Sequence, residues 1–350
     1  MRNKKSRGLF DDQFRLEKIS KLKDPLEKLN RYINWEDFRT IIDQAFRETE
    51  PSLGGRPPFD RVMMFKVLVL QKMYNLSDDK TEYQILDRFS FSRFLGIDLC
   101  DAVPDAKTIW HFREQLKNHA IFDQLLEFLR EKIEKAHLIM NDGSIVDARI
   151  IEVPKQRNSR DENGQLKNGQ VPEDWKENPN KLSQKDTDAS WLKKNGKNHY
   201  GYKNHIKIDQ GSKIITEYQV TTASVHDSDA LEDLLDESDA GKPLWGDSAY
   251  TGKRCSRIIR KFKMQNLTHK KGYRNKALSE YQKKRNHQKS KIRARVEHVF
   301  GYACQNLNGS SVFRYIGLDR IASSIGLQNI VYNLFRAVFL IEAKRMSIRL

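Results

Sequence analysis

Cysteine is scarce in this chain. Its three residues, Cys100, Cys255 and Cys304, are odd in number and far apart. That excludes a disulfide framework and fits a reducing compartment. No CxxC pair occurs, and a zinc centre assembled from Cys255, His269, His287, His298 and Cys304 lacks ligand spacing. Long uninterrupted apolar runs are missing too. The basic start Met1-Arg2-Asn3-Lys4-Lys5-Ser6-Arg7 has no apolar stretch behind it, which argues against a signal peptide. The most apolar segment, residues 321–343, is broken by Gln328, Asn329, Asn333 and Arg336. That pattern suits a buried or amphipathic helix rather than a membrane span. No internal repeat is visible.

Acids are scarce in one place. Residues 253–320 hold 19 Lys/Arg against Glu280, Glu297 and Asp319, which accounts for the whole net charge of +16 and leaves the remainder neutral. A basic block in an otherwise balanced chain points to a polyanion, because Lys and Arg contacts to phosphates release counterions and dominate affinity. A solvated basic surface is the plainer alternative. With no apolar anchor beside the block, a membrane is disfavoured.

The 350 residues suffice for two or three domains. Residues 1–34 read as a basic arm and residues 35–140 as a helical domain. In the latter, residues 35–49 place Trp35, Phe38, Ile41, Ile42 and Phe46 at helical spacing, and Pro57 and Pro58 are expected to open a second helix. Further helices are expected over 82–89, 107–116 and 121–136, with Asp105 or Thr108 capping the second of these. Residues 144–153 are β-branched and end at Pro154, as a strand does. Residues 155–197 are polar and read as an inserted loop. Strands at 199–209 and 213–223 flank Gln210-Gly211-Ser212 as a hairpin. A helix is expected from 227–229, with Asp229 and Glu232 as a capping box. A strand (242–250), a helix (253–262), a short strand (264–268) and a long helix (279–307) complete a domain over 141–345. The resulting β-β-β-α-β-α-β-α order is that of a ribonuclease-H-like catalytic domain with a mixed five-stranded sheet, in an α+β chain.

DNA cleavage and joining need an activated oxygen in line with phosphorus and a stabilised leaving oxygen, and two divalent cations do both jobs. Such hard cations take oxygen ligands. Three acids are candidates. Asp147 interrupts the apolar run Ile145-Val146-Asp147-Ala148, where a lone acid is costly without a partner. Asp247 ends the Leu244-Trp245-Gly246 strand, and strand ends are where such sites gather. Glu297 lies on the basic helix, one turn after Arg293. Singly, each has an ordinary explanation: an edge-strand acid, a strand terminator capping the next helix, and an ion pair with Arg293.

Together these segments resemble the DDE transposases of insertion sequences, in the branch around insertion sequence five of the insertion-sequence-four superfamily. Ile145-Val146-Asp147-Ala148-Arg149-Ile150-Ile151-Glu152 is similar to that family's first-aspartate strand. Gly246-Asp247-Ser248-Ala249-Tyr250-Thr251-Gly252 is similar to its second-aspartate motif, and Arg293-Ala294-Arg295-Val296-Glu297-His298-Val299-Phe300 to its glutamate helix. Gly201-Tyr202-Lys203 and Val225-His226-Asp227 resemble its second strand and the approach to its first helix. Gly55-Arg56-Pro57-Pro58, Tyr74-Asn75-Leu76-Ser77-Asp78 and Val103-Pro104-Asp105-Ala106-Lys107-Thr108-Ile109-Trp110 resemble the preceding helical domain.

The resemblance spans roughly residues 35–335. It implies a cytoplasmic, nucleoid-associated bacterial transposase. Such an enzyme binds the terminal inverted repeats of its element and cuts and joins double-stranded DNA. Asp147, Asp247 and Glu297 would hold two Mg2+ ions (Mn2+ substituting), and a dimer would form in the DNA complex. Lys203, Lys289, Arg293, Arg295 and His298 are candidate DNA contacts. The N-terminal helices are assigned to the element ends, with a structural or dimerising role as the alternative. Trp191, Trp245 and Tyr202 read as core or loop anchors. The extended Tyr-Arg-Glu-Lys signature is kept at Arg293 and Glu297 only, since Ser290 and Cys304 replace its tyrosine and lysine. An inactive DNA-binding regulator, a ribonuclease-H-type nuclease without strand transfer and a basic packaging protein are the competing readings.

Overall fold

The computed structural model describes residues 11–46, 57–98, 100–273, 276–308 and 313–350. It separates into two compact units, residues 1–125 with 337–350, and residues 126–336.

The first unit is helical. Helices α1 (Asp11–Lys21), α2 (Pro25–Tyr32), α3 (Arg39–Gln44), α4 (Arg61–Met73), α5 (Asp78–Asp87), α6 (Phe89–Leu95) and α7 (Ala106–Asn118) follow in order. The supposed arm is thus helical from Asp11, and Leu26 and Leu29 of α2 are fully buried. A 3-10 turn, Trp35–Phe38, breaks the helix expected over 35–49, whose last three residues lie outside the described set, as do Gly55 and Arg56. Pro57 and Pro58 precede α4 instead of opening it, and Asp60 takes the cap by accepting the Met63 N–H at 2.8 Å.

Every residue of α4 from Val62 to Lys72 is buried, so it forms the centre of the unit. The Tyr74–Asp78 motif has a structural task. Asn75 adopts a left-handed turn (φ 51°), Ser77 caps α5, and Asp78 receives two hydrogen bonds from the Arg113 guanidinium, at 2.7 and 2.9 Å. Asp105, not Thr108, caps α7, accepting the Thr108 N–H at 2.7 Å.

After α8 (Ile121–Lys135), the second unit is built on a mixed sheet. Its strands are β1 (Ser144–Glu152), β2 (Ser190–Lys194), β3 (Lys197–Asp209), β4 (Ile215–Thr222), β5 (Pro243–Trp245) and β6 (Gln265–Asn266). β3 pairs antiparallel with β1 on one edge and with β2 and β4 on the other, while β5 and β6 continue beyond β1 in parallel. β2 is a strand that composition concealed.

Residues 155–189 are ordered rather than an open loop. They carry α9 (Arg160–Lys167), α10 (Glu173–Lys176) and α11 (Pro179–Ser183). Caps sustain these short helices: a Ser159–Glu162 capping box opens α9, and Asn178 with Pro179 opens α11. Fully buried Trp175 anchors the segment, donating to Glu162 at 2.8 Å. The helix expected from residue 227 is absent. Residues 227–234 run as turns that nevertheless bury Leu231 and Leu234.

Helices α12 (Lys253–Lys261), α13 (Glu280–Tyr302) and α14 (Leu318–Ala343) complete the chain, and α13 runs into a π-helical turn at Ala303–Asn308. One sheet face packs Val146 with Leu231, Leu234, Tyr250, Ile258 and Ile259. Helix α14 is long and apolar enough to cross a membrane, but 83% of its apolar window is buried, as in a core helix. Its polar interruptions are engaged. Asn333 pairs with both the N–H and the carbonyl of Ile215, Gln328 donates to the Ala303 carbonyl, and Arg336 donates to the Ser212 carbonyl.

Candidate active site

Side chains alternate along β1, so its two faces carry different chemistry. Asp147 is paired with Ile206 and shares its face with Arg149, whereas Ser144 and Val146 lie on the other face with Lys203, His205 and Lys207 of β3. The parallel register sets Ile145 beside Trp245. Asp147 stands two residues further along β1, and Asp247 two residues past Trp245, beyond the end of β5. Gly246 permits this approach, because a Cβ there would meet Tyr250 at 3.0 Å and Val146 at 3.2 Å.

Asp147 is 13% exposed. One carboxylate oxygen accepts the Ala148 N–H at 2.9 Å and the other accepts from Arg293 Nη1 at 2.6 Å. The same guanidinium reaches Glu297 at 3.2 Å, so Arg293 bridges two of the three candidate acids. Burial is the main force on Asp147 and pushes it up to about 6. Arg293 and the Ala148 N–H oppose the rise, while the negative charges of Asp247 and Glu297 add to it. The three carboxylates therefore share one electrostatic neighbourhood.

Asp247 is fixed by accepting the Ala249 N–H at 2.7 Å, which caps the turn Ser248–Tyr250. Tyr250 is buried behind this point, and burial together with Asp147, Asp227 and Asp247 raises its hydroxyl well above the usual range.

Helix α13 presents Asn286, Lys289, Ser290, Arg293 and Glu297 at spacings of three and four, hence on one side. Asn286 holds both the N–H and the carbonyl of Lys270, and Lys289 donates to the Thr268 carbonyl at 2.9 Å. His269 sits between them. Its N–H donates to the Gly246 carbonyl at 3.1 Å, and its ring lies 3.5 Å from the Ser290 hydroxyl. Burial, then Arg293 and Lys289, depress its pKa, and Asp247 opposes them. The sequence carried no spacing signal for His269, because the loop after β6 delivers it.

The other candidates separate. Arg295 donates to the Gln210 carbonyl at 2.6 Å, and exposed His298 lies 3.4 Å from Lys213 Nζ. Lys203, a candidate DNA contact, and His205 are both buried in the free protein. Lys203 pairs with Asp227 at 2.8 Å and donates to the Val225 carbonyl, and His205 bonds Thr221 at 2.9 Å. Trp245 and Tyr202 are core residues, and Trp191 is 44% exposed with its ring 5.0 Å from that of Tyr200. Arg149 donates to the Phe300 carbonyl and to Cys304 Sγ, each at 3.0 Å, which sets a guanidinium beside the cysteine that departs from the signature.

Among the described residues no three His, Cys, Asp or Glu side chains are already drawn into a metal-sized cluster. The donor set is nonetheless all carboxylate, the chemistry a hard divalent cation takes. The charge now neutralising two of the acids is the Arg293 guanidinium.

Carboxylates beside a basic helix are the chemistry that phosphate-handling proteins use. The sequence comparisons narrow it. The model of the transposase DDE domain matches residues 140–334, and a transposase domain (DUF772) matches residues 14–115. The chain belongs to the DDE transposase family. Among solved structures, the piggyBac transposase synaptic complex with hairpin DNA is similar at a TM-score of 0.46 and 10% identity, over 93% of this chain and 77% of that one.

Proposed function

We propose that this transposase binds the terminal inverted repeats of an insertion sequence and cuts and transfers double-stranded DNA at Asp147, Asp247 and Glu297. The observation that carries the reading is the state of Asp147, which burial lifts to about 6 with the charges of Asp247 and Glu297 adding to the rise. Ionised acids so arranged favour bound cations. Asp147, Asp247 and Glu297 would hold Mg2+, with Mn2+ as a substitute. When bound, such ions activate the attacking oxygen and stabilise the leaving one.

The chain's own residues prepare the site. Backbone N–H groups of Ala148 and Ala249 aim the two aspartates. Arg293 holds Asp147 and Glu297, and its guanidinium would be available to a phosphate oxygen were cations to neutralise those acids. Arg149 supplies, beside Cys304, the positive charge that the signature lysine would bring. Lys289 and His298 extend the basic surface.

In this reading the catalytic domain spans residues 141–345 and has a ribonuclease-H-like fold, supported by the β4-β3-β1-β5-β6 strand order with parallel β5 and β6. The helical domain binds the element ends, two copies act together on paired ends, and the enzyme works in the cytoplasm on the nucleoid. The motifs favour the insertion-sequence-five-like branch.

The test uses DNA ends taken from the inverted repeats flanking the coding sequence, with Mg2+ or Mn2+. Asp147→Ala is expected to abolish cleavage and leave end binding nearly unchanged. Cutting at the wild-type rate would show the site assignment to be wrong. Hydrolysis without joining would favour a nuclease instead.

A further inference from the structure

The net positive charge lies in residues 253–320, and the rest of the chain is neutral as a whole. One concentrated positive feature sits inside that neutral remainder, where counting over long segments averages it away. Strands β2 and β3 are joined by the turn Lys194-Asn195-Gly196-Lys197. Asn195 and Gly196 have φ values of 51° and 76°, the left-handed backbone that a two-residue type I′ hairpin requires. The wider sheet stops short of this turn. β4 accompanies β3 as far as Tyr202, and the β1 side as far as Tyr200, whose carbonyl accepts the Val153 N–H at 3.1 Å. From His199 to the turn β3 has β2 alone, through the pairs Leu192–His199, Lys193–Asn198 and Lys194–Lys197. The sheet therefore ends in a two-stranded ribbon, and residues 193–198 are all exposed.

The charge of the ribbon is not spent within the fold. Residues 190–201 carry Lys193, Lys194 and Lys197 and no acid. Elsewhere in this unit exposed lysines are engaged: Lys176 with Glu173 at 2.8 Å, Lys261 with Glu232 at 2.5 Å and Lys283 with Glu280 at 2.7 Å. Lys194 and Lys197 instead face each other directly across the ladder, and like charges so placed destabilise a hairpin. The ribbon is also fastened at its base. Tyr200 is 2% exposed and its ring lies 5.0 Å from that of Trp191, while His199 Nδ1 lies 2.6 Å from a Glu152 carboxylate oxygen. Successive residues of a strand point to opposite faces, so these two contacts hold the ribbon on both. A charged surface fixed in advance loses little freedom on docking.

We propose that the β2–β3 ribbon enters the major groove of duplex DNA, with Lys193, Lys194 and Lys197 on the phosphates that border it. This rests on the reading of the chain as an enzyme of double-stranded DNA, and it adds a contact apart from the basic helix α13. The dimensions fit. Three residue pairs at about 3.4 Å each reach about 10 Å, against a groove about 8.5 Å deep whose width of about 12 Å admits a two-stranded ribbon. Lys194 and Lys197 lie on one face and Lys193 on the other, so the ribbon addresses both walls of the groove. Its tip, Asn195-Gly196, has no apolar side chain to enter a membrane.

The test is made on the full chain with duplex DNA from the inverted repeats flanking the coding sequence. A variant combining Lys193→Gln, Lys194→Gln and Lys197→Gln is expected to lower the slope of log affinity against log salt by about 2–3. It should also lose the protection of a group of guanine N7 atoms from dimethyl sulfate, since N7 lies in the major groove. The corresponding triple arginine variant should keep both. If the glutamine variant retains the wild-type slope and the wild-type guanine protection, the ribbon does not meet DNA and the proposal is overturned. It is overturned equally if that variant loses affinity for polyglutamate and not for the duplex, which would mark an acidic protein partner. In both cases wild-type cutting of the same duplex shows that the functional reading stands. Wild-type protein that neither binds nor cuts the duplex would overturn that reading, and the ribbon's role with it.

Discussion

The two faces of the β1–β3 ladder both bury acids, and they treat them oppositely. On the Ser144 face, Lys207 is 2% exposed and bonds Asp236 at 2.9 Å and Asp239 at 2.7 Å, while Ser144 donates to Asp239 at 3.2 Å. Burial pushes Asp236 up, but hydrogen bonds from Ser238 and Lys207 outweigh it and carry Asp236 down to about 2. On the Asp147 face burial prevails, because one guanidinium serves two acids and a third acid stands nearby. A closed network spends its charges on the fold. An open one leaves negative charge unspent, and unspent charge is what a cation can use.

The sharpest way to break this contrast is to neutralise the open face. Asp247→Asn and Glu297→Gln are each expected to lower single-turnover cleavage of end DNA by about 10³-fold or more, the loss that follows if each acid holds a metal as proposed. Unfolding midpoints should hardly move. Glu297 is 57% exposed and its pairing with Arg293 contributes little in solvent. A variant that unfolds readily yet still cuts would assign these acids to the closed kind.

Lys207→Met tests the other face. Removing the cation strands buried Asp239 beside Asp236, and breaking a buried pair this way costs roughly 3–5 kcal/mol. Asp236 is half exposed and can regain water, so the low end, about 3 kcal/mol, is expected by urea denaturation. Cleavage at a temperature where the variant is folded should persist. Loss of activity without loss of stability would place Lys207 in the catalytic machinery.

The two faces should also separate by pH. The folded Asp147 carboxyl, at about 6, lies above its ordinary 3.8, so the folded state binds the proton more tightly. Its stabilising contribution is complete below about 4 and is lost as pH rises through 6. Asp236 has the opposite sign. Its folded value is depressed, so its contribution is present above about 4 and is lost as pH falls through 2. With chelator present, Asp147→Asn is expected to stabilise the protein at pH 7 by about 1–3 kcal/mol and to flatten the slope between pH 4 and 6. An unchanged slope there would mean that Asp147 is not strained.

Much of the open face was legible because its residues sit on long elements with clear patterns. Asp147 breaks an apolar strand, and Arg293 precedes Glu297 by one helical turn. The closed face was not legible. Lys203, His205 and Lys207 alternate in β3 as surface residues would, and only the turns over 227–239, which bring Asp227, Asp236 and Asp239 across them, make those positions internal. The helices within 155–197 escaped for a related reason. They are too short to show periodicity and rest on caps and on Trp175. His269 became visible only through the parallel β5–β6 pair that brings its loop to Gly246.

The smallest effect is the finest discriminator between the faces, because it reads exposure instead of chemistry. Lys291 is exposed on α13 inside the basic block, whereas Lys203 is covered and spends its charge on Asp227. A lysine that meets phosphate releases a counterion on binding, and one already paired inside the protein does not. Lys291→Ala is therefore expected to reduce the slope of log affinity against log salt by about 1 for non-specific duplex DNA, with only a modest loss of affinity at fixed salt. Lys203→Met should leave that slope unchanged even where it lowers stability by freeing Asp227. Titrations across a salt series, run on both variants at the same temperature, measure the difference. A fall in slope for Lys203→Met would mean that its face opens when DNA binds, and the division between a closed and an open face would then hold only for the free protein.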